Sequence, residues 1–356
     1  MQEKIREVLS GVIDPNTGKD LVSSKALKKV TTEDGKTTVQ IELDYPAKTQ
    51  GSVIEEMVRA KLVEAGPADV KISQNIIAHE VQRGVKVFDS VRNIIAVSSG
   101  KGGVGKSTVS ANLALALQQE GAKVGLLDAD VYGPSQPTML GITDKPYSVD
   151  GKTLEPMVAH GLQVASVGVL IDPDQPMIWR GPLAVSALQQ LLKQTNWKDL
   201  DYLIVDMPPG TGDIQLSLSQ EVPLTGAVVV TTPQDIALMD ARKGLVMFEK
   251  VNVPILGIIE NMATHICSKC GHEEHIFGEG GAAKMAAQYG VELLGELPLD
   301  INIRLSMDKG EPIVISDPDS KVAQAYREIA RKLAVAVSKK NKDYSAKMPS
   351  IKVSDT

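Results

Sequence analysis

Cysteine is nearly absent from this chain. Two in 356 residues exclude a disulfide framework as the source of its stability. No apolar run reaches ~18 residues, which excludes a helix that crosses a membrane. Positive charge is in deficit, with 38 Lys and Arg against 44 Asp and Glu, and the net charge of −6 argues against broad electrostatic binding to nucleic acid or acidic lipid. Met1 to Ser10 is charged and helix-like and lacks the apolar core of a signal peptide, so the cytoplasm is the expected location. Internal repeats are lacking too. What is present is a hydrophobic content of 43%, enough to bury a large core and to build two domains.

Two patterns follow each other along the chain. Residues 1–85 read as a small α+β unit. Helical spacing places Ile5, Val8 and Leu9 on one face, Ala26–Thr31 and Thr37–Leu43 alternate as strands around Glu33-Asp34-Gly35, Ser52–Ala65 is helical, and Ala68–Ile72 returns as a strand. A mixed polar stretch, Ser73–Asp89, reads as the linker. Residues 90–338 then repeat strand, loop and helix. Apolar runs at Ile94–Val97, Val124–Leu127, Val164–Val167, Tyr202–Val205, Ala227–Val230, Ile255–Ile259 and Leu293–Leu297 predict a mostly parallel sheet covered by helices, an α/β fold. Residues 339–356 are polar, lysine-rich and without periodicity, and read as a flexible tail.

Between the first of these runs and a helix-like stretch lies Gly100-Lys101-Gly102-Gly103-Val104-Gly105-Lys106-Ser107-Thr108. It fits the phosphate-loop frame, in which backbone N–H groups turn toward phosphate oxygens and the following helix adds its positive end. Lys106 is placed to reach the β- and γ-phosphates of ATP, and the Ser107 hydroxyl to ligate Mg²⁺. Lys101 is an extra lysine at the loop's second position.

Two further strands end in acids. Val124–Leu127 runs into Asp128-Ala129-Asp130, whose alternation sends both carboxylates to one side, where they suit Mg²⁺-bound water and the attacking water. Tyr202–Val205 runs into Asp206, the Walker-B pattern with Mg²⁺ as partner, and continues through Met207-Pro208-Pro209-Gly210-Thr211-Gly212-Asp213 as a candidate switch.

These three motifs resemble the deviant-Walker ATPases that include MinD, ParA and the nitrogenase iron protein. The resemblance implies a nucleotide-sandwiched homodimer in which Lys101 reaches the partner's phosphates. It also implies that Asp130 positions the water and that Asp128 and Asp206 stand on the Mg²⁺ side. Asn261 matches a position that contacts adenine in relatives, and its amide offers a base edge both donor and acceptor.

Cys267-Ser268-Lys269-Cys270-Gly271-His272 separates the members of this group. Two thiolates suit iron–sulfur or zinc, and a two-fold dimer would bring four together, enough for one bridging cluster. Structural zinc competes because His265, His272 and His275 lie nearby, although Cys270 and His272 are closer in sequence than finger spacing. Redox or inert thiols are the remaining reading.

With Asp128–Ser135, Met177–Pro182, Asn261-Met262 and Cys267–Gly281, the chain resembles the Mrp/ApbC family of P-loop iron–sulfur cluster carriers over residues 90–335. That family implies a homodimer holding a 4Fe-4S cluster between paired Cys267 and Cys270, slow ATP hydrolysis, and exchange of the cluster with donor or scaffold proteins and recipient apoproteins. Residues 1–85 resemble the small iron–sulfur-assembly domain often fused to such carriers. Where many relatives show Pro-Ala-Cys, this chain has Pro46-Ala47-Lys48, so a docking or regulatory role is expected. The competing expectation is a MinD/ParA-like organising ATPase. The tail lacks the apolar face such proteins need at membranes, and the acidity suits DNA poorly.

Overall fold

The structure, a computed structural model, describes residues 2–33, 36–63, 66, 68–82, 85–169, 181–267 and 269–343. The tip of the expected hairpin, Asp34-Gly35, and the Met177–Arg180 part of the family resemblance lie outside the described residues.

The first sheet has three strands. Helix α1 (Gln2–Leu9) turns Ile5 and Leu9 inward. Strands β1 (Leu27–Glu33) and β2 (Lys36–Leu43) pair antiparallel, with Val30 opposite Val39. Along β2 the buried residues Thr37, Val39, Ile41 and Leu43 alternate with more exposed neighbours, the two-residue period of a sheet with one covered face. Helix α2 (Gly51–Leu62) crosses over it with Ile54, Val58 and Leu62 buried, so that β3 (Ala68–Gln74) can return parallel to β2.

The second sheet is built from strand–helix units. Its first half runs β4 (Val91–Ser99), α3 (Lys106–Gln119), β5 (Val124–Asp128), α4 (Gln136–Met139), β6 (Met157–Ala159), β7 (Leu162–Ser166), α5 (Gly181–Gln194) and β8 (Leu200–Asp206). Then follow α6 (Asp213–Glu221), β9 (Gly226–Thr231), α7 (Asp235–Lys250), β10 (Ile255–Glu260), the short hairpin β11 (His265–Ile266) and β12 (Glu273–Glu274), α8 (Gly281–Tyr289), β13 (Leu293–Glu296), α9 (Ile301–Asp308), α10 (Ile313–Ser316) and α11 (Lys321–Ser338). The eight-stranded order is β13-β10-β9-β4-β8-β5-β7-β6, parallel throughout except for the edge pair β6–β7. Strands β4, β5, β8 and β9 are buried along nearly their whole length, as a sheet covered on both faces requires. This is a mostly parallel α/β fold preceded by a small α+β domain.

Apolar packing ties the two sheets together. One continuous core runs from Ile5, Val39 and Val58 through Leu113 and Leu117 of α3 to Leu333 and Val337 of α11. A second core fills the other face beneath α5, α6, α7 and α8. A polar contact reinforces the first. Glu120, fully buried at the end of α3, accepts from Thr49 N at 3.0 Å and Thr49 Oγ1 at 2.6 Å and pairs with Arg331 of α11 at 2.5 Å.

The stretch expected to be a linker is stapled down. His79 Nδ1 donates to Asn93 Oδ1 at 2.9 Å, and Gln82 both donates to Ser219 O and accepts from Leu224 N. The start of the expected tail is held as well, with Lys342 bridging to His79 and Asn341 O accepting from Glu80 N; residues 344–356 lie outside the described residues.

Candidate functional site

Strand register builds the first half of the site. Asp128 at the end of β5 lies opposite Asp206 at the end of β8, and Asp206 opposite Val97 of β4, three residues before Gly100. Two acids and the loop therefore share the carboxyl edge of the sheet, where α/β folds place their ligands. Only glycine fits at position 100, because a Cβ there would collide with the Asp240 backbone. Gly105 has φ +79° and is pressed by the Asn261 amide, so it too has no room for a side chain.

Lys106 organises the charges. Its buried ammonium lies 2.6 Å from Asp206 Oδ1 and 3.7 Å from Asp130 Oδ2, and donates to Ser107 Oγ at 3.2 Å. Asp206, fully buried, also accepts from Ser110 Oγ and Gln136 Nε2, both at 2.9 Å. The two acids after β5 divide their tasks. Asp128 turns inward, accepting from Ser166 Oγ at 2.9 Å and from the amides of Gln136 and Asp130 at 3.2 Å. Burial, and then the neighbouring charge of Asp206, push its carboxyl up to about 7. Asp130 faces Lys106, while the amides of Tyr132 and Gly133 hold its other oxygen at 3.3 Å. The two carboxylates expected on one side thus face different partners.

The loop's remaining residues fall into exposed and braced parts. Gly102 and Gly103 are exposed; Lys101 is half-buried, and its side chain makes no hydrogen bond or ion pair among the described residues. Val104 is buried, and Asn261 Nδ2 donates to its carbonyl at 2.9 Å, which makes Asn261 a brace of the loop. Ser107 O accepts from Gln136 Nε2 at 2.9 Å, and Thr108 O from Asn112 Nδ2 at 2.9 Å.

Sequence reasoning missed Gln136, Ser110 and Ser166. Gln136 links Asp206 to Ser107 and opens the four-residue α4, too short for a periodic signal. Ser110 carries a faint one, since it lies four residues after Lys106 on the same helix face.

A Mg²⁺ ion fits these donors. Two acids stand side by side near the Ser107 hydroxyl, a cation would relieve the repulsion that raises Asp128, and the buried Gln136 Oε1 has no hydrogen-bond partner among the described residues.

The cysteines occupy the turn between β11 and β12. Cys267 N donates to His272 O at 2.9 Å and Gly271 N to Cys267 O at 2.8 Å, which closes a tight turn with Cys267 half-buried and Cys270 exposed. The backbone N–H groups of Lys269 and Cys270, and then the Cys270 thiol, lower the Cys267 pKa from its ordinary value. Two of the three nearby imidazoles are engaged elsewhere, His265 Nδ1 with Leu299 O and His275 Nδ1 with Ala263 O, both at 3.1 Å, while His272 is exposed. Among the described residues no group of three or more His, Cys, Asp or Glu could hold a metal ion, so they supply no tetrahedral zinc set within one chain.

A parallel sheet with a phosphate loop facing two strand-end acids defines a P-loop NTPase of the MinD/ParA type. The chain is similar to the cell division ATPase MinD of Pyrococcus furiosus, with 25% identity and a TM-score of 0.51 over 68% of this chain and 98% of that one. It is also similar to a nucleotide-binding protein from Archaeoglobus fulgidus in complex with ADP, with 37% identity and a TM-score of 0.58 over 66% of this chain and 92% of that one. Residues 90–334 match the NUBPL iron-transfer P-loop NTPases and residues 2–74 the iron–sulfur cluster assembly proteins. An iron–sulfur cluster carrier protein of Salmonella typhimurium is 51% identical over 340 residues, 93% of this chain and 92% of that protein. The chain belongs to the family of iron-transfer P-loop NTPases.

Proposed function

We propose that this protein is an ATP-dependent iron–sulfur cluster carrier. Two copies together hold the cluster through Cys267 and Cys270 and deliver it to recipient apoproteins, having received it from donor or scaffold proteins. The observation that carries this reading is the β11–β12 turn, which offers two thiols and no third metal ligand among the described residues. Two thiolates from each of two copies make the four that a 4Fe-4S cluster takes. Exposed Tyr132, Ile236 and Met239 support a second copy at the nucleotide edge, since Tyr132 follows Asp130 and Met239 precedes the Asp240 backbone packed on Gly100.

The nucleotide chemistry follows from the loop. Its amides and Lys106 bind the phosphates, and Lys106 exchanges part of its contact with Asp206 for a phosphate oxygen. Ser107, Asp206 and Asp128 would hold Mg²⁺, which would supply positive charge against the β- and γ-phosphates. Asp130 orients a water whose oxygen forms the new bond to the γ-phosphorus as the bond to the ADP oxygen breaks, giving ADP and phosphate. Lys101 of a second copy completes the charge around that phosphate, and Asn261 offers its amide to the adenine edge. In this reading residues 1–85 and 90–338 are separate domains, and Glu120 couples the first to the far end of the phosphate-loop helix.

Anaerobic reconstitution with iron and sulfide tests the carrier site. The expected result is a brown dimer with about four irons, lost in Cys267→Ala/Cys270→Ala. A colourless protein that holds zinc, or a cluster that survives loss of both cysteines, overturns the reading.

A further inference from the structure

The geometry points to a second anion site, remote in sequence from the phosphate loop, where the three-stranded sheet meets the end of α11. A cavity of about 240 Å³ opens there and shares no residue with positions 100–108. Buried Ala26, Leu43 and Val335 give it an apolar wall. Charge around it is one-sided. Exposed Lys19, Lys25, Lys28, Lys339 and Lys342 line it, against the carboxylates of Glu42 and Asp44. Lys28 is ion-paired with Glu42 at 3.3 Å, and the other four lysines have no ion pair among the described residues. Four lysines without an ion pair thus line the cavity, against Asp44 as the lining carboxylate not paired with Lys28, in a chain whose net charge is −6. Like charges gathered around a concave, partly apolar surface repel unless an anion joins them.

A second observation comes from the wall. Ser24 is one of the lining residues, and its hydroxyl is buried without a hydrogen-bond partner among the described residues. A buried donor left unmet is costly, and a small shift of the Ser24 side chain would let an anionic oxygen meet it. The occupant is a small polyanion bearing two or more carboxylate or phosphate groups, since nucleotide- and drug-sized ligands take about 300–1,000 Å³. The small domain supplies Lys19, Lys25 and Lys28, and α11 leads into Lys339 and Lys342, so an occupant clamps the small domain to the NTPase.

Lys25 supplies a clean variant. Its φ of 62° lies in the left-handed region, where asparagine is better tolerated than lysine, so Lys25→Asn removes a charge without opposing the backbone. The full chain is titrated calorimetrically with citrate and, separately, with inorganic pyrophosphate, and melting is followed with each. Parent and Lys25→Asn/Lys339→Gln are compared; both keep the phosphate loop intact, so any binding there cancels. The expected result is saturable binding that raises the melting temperature, weakened at least about tenfold in the variant and retained in Lys25→Arg/Lys339→Arg. Citrate alone identifies a carboxylate site, pyrophosphate alone a phosphate site, and either supports the inference. Equal binding by parent and variant overturns it. So does an equal effect of acetate at matched ionic strength, or no binding of either anion at millimolar concentration.

Discussion

Lys106 Nζ lies 2.6 Å from Asp206 Oδ1, with the lysine 5% and the aspartate 0% exposed. This buried pair fixes the state of the site. The same ammonium reaches toward Asp130, and Asp206 presses on Asp128, so one lysine offsets three acids. Anything that binds here changes how those charges are shared.

The two lysines of the loop are therefore expected to behave differently. Lys106→Ala leaves Asp206 buried without its cation, which destabilises the fold by about 3–5 kcal/mol and lowers ATP hydrolysis at least ~100-fold. Lys101→Ala removes a side chain with no hydrogen bond or ion pair among the described residues, so it lowers hydrolysis comparably while unfolding changes by no more than ~0.5 kcal/mol. Hydrolysis assays beside urea melts separate the two.

The contact between the small domain and α3 is expected to be strongly coupled. Arg331→Ala strands the fully buried Glu120 carboxylate, at about 3–5 kcal/mol. Glu120→Gln combined with Arg331→Ala is expected to cost less than the sum of the two single changes, because no charge is then left buried. Additive losses in a double-mutant cycle by denaturant unfolding would remove Glu120 from its place as the joint.

The contribution of His79 to stability is expected to fall on mild acidification, opposed by Asp128, whose raised pKa gives stability as pH falls through about 7. Burial of His79, which outweighs its hydrogen bond with Asn93, lowers its pKa below the ordinary 6.5. The unfolded chain then binds the proton first, so this contribution is complete above about pH 6.5 and is lost as pH falls through the lowered folded value. Urea melts of the parent and His79→Gln across that range test this, with the parent expected to lose stability relative to the variant as pH falls. A stability difference between parent and variant that stays constant with pH would remove His79 as a contributor.

Cys267 is expected to alkylate at lower pH in the folded protein than in denaturant, because two backbone N–H groups stabilise its thiolate. Iodoacetamide labelling, read by peptide mapping across pH, measures this. Identical profiles in the folded and unfolded chain would mean that the turn does not activate the thiol.

Much of this protein was legible from its residues in order. Glycine spacing around Lys101 and Lys106, apolar runs ending in Asp128 and Asp206, and the pair Cys267 and Cys270 are local patterns, and local backbone chemistry sets phosphate loops, strand ends and tight turns. The partners that complete them were not legible. Gln136 reaches Asp206 across 70 positions, Asn261 braces Val104 across 157, and Arg331 meets Glu120 across 211. The polar run around His79 and Gln82 read as a linker because its composition is that of a loop, yet both side chains are buried against the second sheet. Sequence alone determined which groups can bind phosphate and metal, because that capacity belongs to side-chain type and short spacing. Tertiary structure alone decided which acid faces Lys106, which turns inward, and how the small domain meets the phosphate-loop helix, because packing sets those distances only once remote strands and helices come together.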